Sequence, residues 1–388
     1  MQGKIRVLHL ITKLEFGGAQ QNTLYTVGHL NREGFDVHLV CGVGGYLDKE
    51  ALLLPKGIQI HWLRFMKRQI RPWWDLLALF ELIVYLRRIR PDIIHTHSSK
   101  AGILGRWAAK LAGVPVVIHT FHGFGFHDFQ KPLTRSLLAF SERITGKITT
   151  QFVFVSKSNE EYAKRWNITA KEPPVLIRSG VALKSLDQLS ADHRNKKRKE
   201  LNLSTDALVV ATVGNLKAQK NPEHYIELAR RFKNHASLPV FLFIGGWEGG
   251  GARETIFQQA PPNLKYLGWR EDVREILNAS DIFVMTSLWE GLPRSSVEAL
   301  RLGLPVLAYA ADGLREVIQN GKNGFLLTSG DLDAMERRLK AVLEDAGQRK
   351  SLSTAAKAAI NEDFDIDAMV RRQEKLYSSL FSPITTRL

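Results

Sequence analysis

Two glutamates, Glu290 and Glu298, stand with seven residues between them in "SLWEGLPRSSVEALRLGLPVLA", residues 287 to 308, where an apolar run passes into a helical pattern. Pro293 suits the first helical position, where its missing N–H costs nothing, and Gly303 can close the helix at positive φ. The amides around Gly291 and Leu292 and the helix dipole would attract a phosphate. Carboxylates would not serve that phosphate, but each can accept hydrogen bonds from two vicinal hydroxyls. Such a pair suits a ligand with hydroxyls on both sides of a diphosphate, as in a nucleoside diphosphate sugar. The competing reading pairs Glu298 with Arg294 on one helix face and leaves Glu290 as a solvated loop residue.

Other stretches carry compatible chemistry. "KLEFGGAQQN" places Gly17 and Gly18 after a strand pattern and before a helix, where amides can approach a diphosphate closely. "NLKAQKNPE" (215–223) offers Asn215, Lys217 and Lys220 in the equivalent place of a second series of strands. "DIIHTHSSKAG" (92–102) and "PVVIHTFHGFGFH" (115–127) set histidines at strand ends, including His95, His97, His119 and His122, with Lys100 close by. A histidine metal trio lacks an acid or cysteine at ligand spacing, so these rings are expected to be held by hydrogen bonds. "CGVGGY" (41–46) imitates a dinucleotide fingerprint but follows the second strand, with no acid ending a later one. The acidic runs 331–333 and 363–367 fall at helix starts, where they read as caps rather than metal ligands.

The elements that must position these residues alternate from end to end. Strand runs are expected at 4–11, 35–41, 58–62, 92–95, 115–119, 152–155 and 175–177, then again at 207–213, 239–244, 264–267, 281–285, 305–308 and 324–327. Helical patterns at 18–31, 73–90, 100–112, 133–145 and 157–166 separate the first series. Such βα alternation predicts parallel sheets covered on both faces. We therefore expect an α/β protein of two Rossmann-like domains facing a central cleft at their strand C-terminal edges. The first covers 1–182 and the second 183–365, with a terminal helix in 366–388 packing back on the first. The polar segment 183–203 holds the boundary, and its "HRNKKRKE" block reads as a solvated helix face.

The chain has 388 residues, 44% hydrophobic and 24% charged, which suits two soluble domains. Its one cysteine, Cys41, excludes an internal disulfide and points to a reducing compartment. With no signal-peptide pattern and no spanning apolar run, a cytoplasmic protein is expected. The net charge is +15. Residues 1–182 carry 25 Lys and Arg against 13 Asp and Glu, whereas the other 206 carry 29 against 26. The stretch "HWLRFMKRQIRPWW" (61–74) mixes aromatics with cations in that basic half, which suits docking on an anionic membrane surface. The alternative is that these aromatics fold into the first core. Nucleic acid is not expected, because no recognition helix or aromatic-basic sheet motif is present.

Taken together, the Gly-Gly-Ala loop, the two histidine stretches, the Lys220 turn and the paired glutamates resemble the retaining glycosyltransferases of family 4, with the two-domain GT-B fold. The run from His95 to Phe126 is especially similar to bacterial exopolysaccharide, capsule and lipopolysaccharide glycosyltransferases. The resemblance implies that Glu298 binds the donor ribose and that Glu290 holds sugar hydroxyls near the reacting carbon. Gly18 and Lys220 would lie at the diphosphate and His122 beside the donor sugar. The backbone at Arg270 would meet the base, and the amides of Gly291 and Leu292 would face the donor. His97 and Lys100 are placed on the acceptor side. Asn215 stands where many members carry arginine, with Lys217 as a substitute cation, and Asp312-Gly313 replaces the usual glycine pair. The implied reaction moves a sugar with retention from a UDP-type donor to a polyprenyl-diphosphate-linked or saccharide acceptor. Lys220, the glycine loop and the helix amides would stabilise the leaving diphosphate, so no metal or other cofactor is expected. A sugar-nucleotide epimerase, a phosphorylase and a basic nucleic-acid-binding protein are the competing functions.

Overall fold

The computed structural model describes residues 3–236, 238–247 and 251–381. The chain forms two compact units, one running to Gly180 and resuming at Ile366, the other spanning Val181–Asp365. The last residues of the expected C-terminal segment, 382–388, lie outside the described residues.

The first unit is built on β1 (Ile5–Lys13), β2 (Phe35–Gly42), β3 (Gln59–Leu63), β4 (Ile93–His97), β5 (Val116–Phe121), β6 (Gln151–Phe154) and β7 (Val175–Leu176). They form one parallel sheet in the order β3-β2-β1-β4-β5-β6-β7. Both faces are covered, so β1 reads as a nearly unbroken buried run rather than an alternation. Helices Gly18–His29, Pro72–Ile89, Ser99–Ala112, Pro132–Gly146 and Lys157–Arg165 match the expected helical patterns within a residue or two. The glycines of "AGILG" let helix Ser99–Ala112 lie close on the sheet. A Cβ at Gly102 would stand 2.5 Å from the His119 ring.

The second unit holds β8 (Val209–Val213), β9 (Val240–Ile244), β10 (Leu264–Tyr266), β11 (Ile282–Met285), β12 (Val306–Tyr309) and β13 (Gly324–Leu327). Its parallel sheet has the order β10-β9-β8-β11-β12-β13. Tyr225, Phe241, Phe283 and Tyr309 are almost fully buried in this unit, and each large apolar side chain buried this way stabilises the fold by about 1.5–3 kcal/mol. Each sheet reverses its strand order once, between β1 and β4 and between β8 and β11. Ligands bind open parallel sheets at such reversals, beyond the strand C-terminal ends.

Three expectations need correction. Pro293 is the N-cap residue, and the helix runs Arg294–Arg301. The basic block is not a plain solvated face, because Arg194 and Arg198 tie helix Ala191–Glu200 to the second sheet. The buried Arg198 donates to the carbonyls of Ala279, Ser204, Thr205 and Ala207 and to Asp281 at 2.8 Å, and Arg194 meets Asp281 at 2.5 Å. Of the acidic runs, Asp331 caps its helix through the Ala334 amide, but Asp367 instead accepts the Tyr25 hydroxyl at 2.6 Å.

Candidate active site

In the second unit the turns that follow β8 and β11 are laced together. The Leu288 amide donates to the Gln219 carbonyl, the Gln219 side chain donates to the Trp289 carbonyl, and the Thr286 hydroxyl donates to the carbonyls of Lys220 and Asn221. This lacing sets Lys220 Nζ 2.5 Å from Glu290 Oε1, both groups being largely buried. A carboxylate withdrawn from water needs such a partner. Asn215 starts the same turn, and its side-chain oxygen is buried without a hydrogen-bond partner among the described residues. Lys217 shapes the turn through its backbone, donating to the Asn215 carbonyl and accepting from Lys220.

Glu298 sits one turn into helix Arg294–Arg301, buried at 8% exposure. Its Oε1 is 3.8 Å from Arg274 Nε and 3.9 Å from Arg294 Nη2. The Arg294 pairing read as an alternative is therefore present, but at distances beyond a hydrogen bond, so Glu298 keeps capacity to accept donors. Burial pulls the Arg294 guanidinium below its ordinary pKa, with Glu298 acting in the opposite direction. No acid occupies the first turn of this helix and no side chain caps it. Helix Gly18–His29 starts in the same way after Gly17, so both helix starts keep the positive ends that suit an anion.

The Glu290 loop has a buttress that spacing did not reveal. Asp312 accepts the Glu290 amide at 2.9 Å, and the Gly313 amide donates to the Gly291 carbonyl at 3.0 Å. A Cβ at Gly313 would lie 2.1 Å from that carbonyl oxygen, so only glycine fits. Asp312-Gly313, read as a departure, thus holds Glu290, Gly291 and Leu292 in place. Two expected site residues have committed side chains. Arg270 forms a bidentate pair with Asp272, both contacts at 2.7 Å, and meets Glu200 at 2.9 Å, so only its backbone is open to a base. Lys100 donates to the Gln69 carbonyl and pairs with Asp75.

In the first unit the histidines gather on neighbouring strands: His9, His95 and His119 lie within β1, β4 and β5, His97 ends β4 and His122 follows β5. His97 lies between His9 and His122, its nitrogens 3.1 Å from His9 Nδ1 and 3.1 Å from His122 Nε2. His95 bridges Tyr377 and Thr120 at 2.6 Å on each side, and His119 meets Thr96 at 2.9 Å. The nitrogens of His9, His95 and His97 lie within 4.8 Å of one another. All three are engaged in this hydrogen-bond network. Ser98, at φ 61°, joins β4 to β1 through its hydroxyl, 2.7 Å from that of Thr12. Gly44 and Gly45 of "CGVGGY" donate their amides to Asp48, a local turn rather than a cofactor cradle.

Two family models match, Glycosyltransferase Family 4 over residues 16–185 and Glycosyl transferases group 1 over 193–359. The Escherichia coli UDP-Gal:alpha-D-GlcNAc-diphosphoundecaprenol alpha-1,3-galactosyltransferase is 31% identical over 378 residues, covering 96% of each chain. This chain is a family 4 glycosyltransferase. A Campylobacter jejuni N,N'-diacetylbacillosaminyl-diphospho-undecaprenol alpha-1,3-N-acetylgalactosaminyltransferase is 25% identical over 334 residues, 84% of this chain and 88% of the other. Among solved structures, Anabaena HepE in complex with UDP-glucose aligns with a TM-score of 0.80 at 19% identity, covering 97% of this chain and all of that one. The two parallel-sheet units are those of the GT-B fold.

The glycosyltransferase also has a surface only partly anticipated. Within 61–74, Met66 is buried in the first core and Phe65 packs on it, whereas Ile70, Trp73 and Trp74 are exposed. The exposed face continues along helix Pro72–Ile89 through Leu76, Leu77, Phe80 and Val84. On helix Pro132–Gly146, Leu133, Leu137, Phe140 and Ile144 form a second exposed stripe at i, i+4, i+7, i+11. That period is legible in the sequence, but nothing there says which way the stripe faces. Both helices pack beside helix Ser99–Ala112. No helix among the described residues is long and apolar enough to cross a membrane.

Proposed function

We propose that this glycosyltransferase moves a sugar, with retention, from a UDP-sugar to a polyprenyl-diphosphate-linked acceptor at an anionic membrane surface during assembly of a bacterial surface polysaccharide. The observation that carries the reading is its 31% sequence identity, over 96% of its length, to an enzyme named for a UDP-galactose donor and an undecaprenyl-diphosphate acceptor. Glu298 takes the ribose hydroxyls and Glu290 the hydroxyls of the transferred sugar. Lys220, the amides before helix Arg294–Arg301 and the Gly17-Gly18 loop take the diphosphate. Bond breaking puts positive charge on the anomeric carbon and negative charge on the leaving phosphate, so stabilisation belongs at that phosphate. These groups supply it without a metal. Lys220 is held between Glu290 and the diphosphate, so one cation orients the sugar-binding carboxylate and neutralises the leaving group. The departing phosphate assists front-side attack by the acceptor hydroxyl.

The two exposed apolar stripes support membrane docking. Several large apolar side chains exposed along one helix face suit an interaction surface. Lys131, Lys147, Arg64, Arg71, Arg87 and Arg88 flank the stripes and are exposed, which suits anionic headgroups.

The test is product analysis with UDP-galactose, UDP-glucose and their N-acetyl forms against a polyprenyl-diphosphate-linked sugar. Release of UDP only when acceptor is present, with an α-linked product and full activity in EDTA, supports the reading. Interconversion of the donor without acceptor would indicate an epimerase instead, and phosphate-dependent cleavage a phosphorylase.

A further inference from the structure

One direction of hydrogen bonding satisfies each contact of the histidine cluster in the first unit. Burial lowers the pKa of every ring, His9 to about 3 and His122 to about 4, with His95 and His97 also well below the ordinary value. All are therefore neutral at pH 7, each with one N–H and one bare nitrogen. Tyr377, on helix Ile366–Leu380, donates its hydroxyl to Gln373 Oε1 at 3.1 Å, an atom with no proton to give. Its oxygen must then accept from His95 Nδ1 at 2.6 Å and from His9 Nε2 at 3.4 Å. Since His9 carries its proton on Nε2, its Nδ1 accepts from His97 Nε2–H. His97 Nδ1 in turn accepts from His122 Nε2–H. At the end of the chain, His122 Nδ1 holds a lone pair and has no hydrogen-bond partner among the described residues. The His122 ring borders a small pocket lined also by Asn22, Thr120 and Ser179.

We propose that Tyr377 is a positioning residue for sugar transfer. Acting through His9 and His97, it locks His122 as the Nε2–H tautomer, so that Nδ1 can only accept a hydrogen bond from a substrate hydroxyl. The inference rests on the reading that His122 lies beside the transferred sugar. Without the Tyr377 oxygen, all three rings can reverse together. His122 then becomes an Nδ1–H donor, which turns the wrong face to a hydroxyl that must be accepted. Loss of a group that holds a histidine tautomer has a catalytic cost well beyond its packing role.

The experiment uses the full chain labelled with 15N-histidine, with His122 assigned from the His122→Asn spectrum. The wild type is expected to show His122 only as the Nε2–H tautomer, and Tyr377→Phe is expected to add an Nδ1–H population. In the same variant kcat should fall by about tenfold or more while the donor KM changes less than about twofold. The wild-type spectrum tests the lock even if the variant fails to fold. An Nδ1–H or mixed His122 in the wild type overturns the proposal. So does a Tyr377→Phe enzyme whose kcat falls with no change of tautomer, or one whose kcat does not fall. Stoichiometric zinc on the purified protein, lost in His9→Gln, would also overturn it by replacing the hydrogen bonds with metal ligation. The tautomer is read without substrate, whereas failure of the functional reading appears as absent transfer by the wild type.

Discussion

Lys220 Nζ and Glu290 Oε1 meet at 2.5 Å across two turns that follow neighbouring strands, so a residue expected at the diphosphate and one expected at the sugar form a single unit. Residues that act as a unit do not contribute additively. Glu290→Ala is expected to lower kcat by about 100-fold, and Lys220→Ala by a similar factor. The double variant should lose far less than the product of the two, and a purely multiplicative loss in steady-state kinetics would contradict the pairing.

Glu298 is placed to hold hydroxyls without being consumed by Arg274 or Arg294. Hydrogen bonds to a charged group contribute about 1.5–3 kcal/mol, so Glu298→Ala should weaken UDP binding by about ten- to a hundredfold in calorimetry. Turnover at saturating donor should change much less. Unchanged UDP affinity would remove Glu298 from the ribose site.

The neutral histidines make the first unit acid-sensitive. Their folded pKa values lie below the ordinary 6.5, so the unfolded chain binds more protons between that value and the folded ones. Stability is then full above about pH 6.5 and falls as pH drops toward about 4, where His122 titrates, and about 3, where His9 does. Melting temperature should decline across this window, before carboxylate protonation accounts for it. His97→Gln should flatten the decline. A melting temperature constant from pH 7 to 4.5 would refute the linkage.

The Asp281 carboxylate receives Arg194, Arg198 and the Val209 amide. Removing one partner of a buried ion pair leaves the other charge stranded, at a cost of about 3–5 kcal/mol. Asp281→Ala should therefore shift the urea midpoint of the second unit strongly downward. Lys196→Ala, from the exposed side of the same helix, should leave it unchanged.

Leu137 and Phe140 are more than half exposed, so Leu137→Glu and Phe140→Glu should leave thermal stability intact. Both should reduce co-sedimentation with vesicles containing anionic lipid, as should Trp73→Glu. Binding should also weaken with salt, because the flanking cations are screened within about 10 Å at 0.1 M. Full vesicle binding by all three variants would exclude these stripes as the docking face.

Much of the architecture was legible in local pattern. Among the described residues all thirteen strands overlap the expected runs, because a parallel strand covered on both faces is apolar along most of its length. The order strand, turn and helix around Glu290 and Glu298 was legible for a similar reason, since it depends on residues close in sequence. The block 193–200 was misread because charge count cannot tell a solvated arginine from one that gathers four carbonyls. The contacts of Lys100 with Gln69 and Asp75 were not legible, because both partners lie outside its own helix.

The sequence by itself determined the strands, the helices and the order of the chemical motifs, because these depend on residues within a turn or two of one another. Sheet order, register and the docking of helices on the sheets decided the rest. They placed Lys220 against Glu290 across 70 residues, His9 against His97 across 88 and Tyr377 against His95 across 282. A hydrogen bond of about 3 Å requires the two backbones to be set to within a fraction of an ångström, and only the packed sheet supplies that. The same packing buried one side of helix Pro72–Ile89 and left the other to solvent, a choice its nearly uniform apolar sequence does not contain.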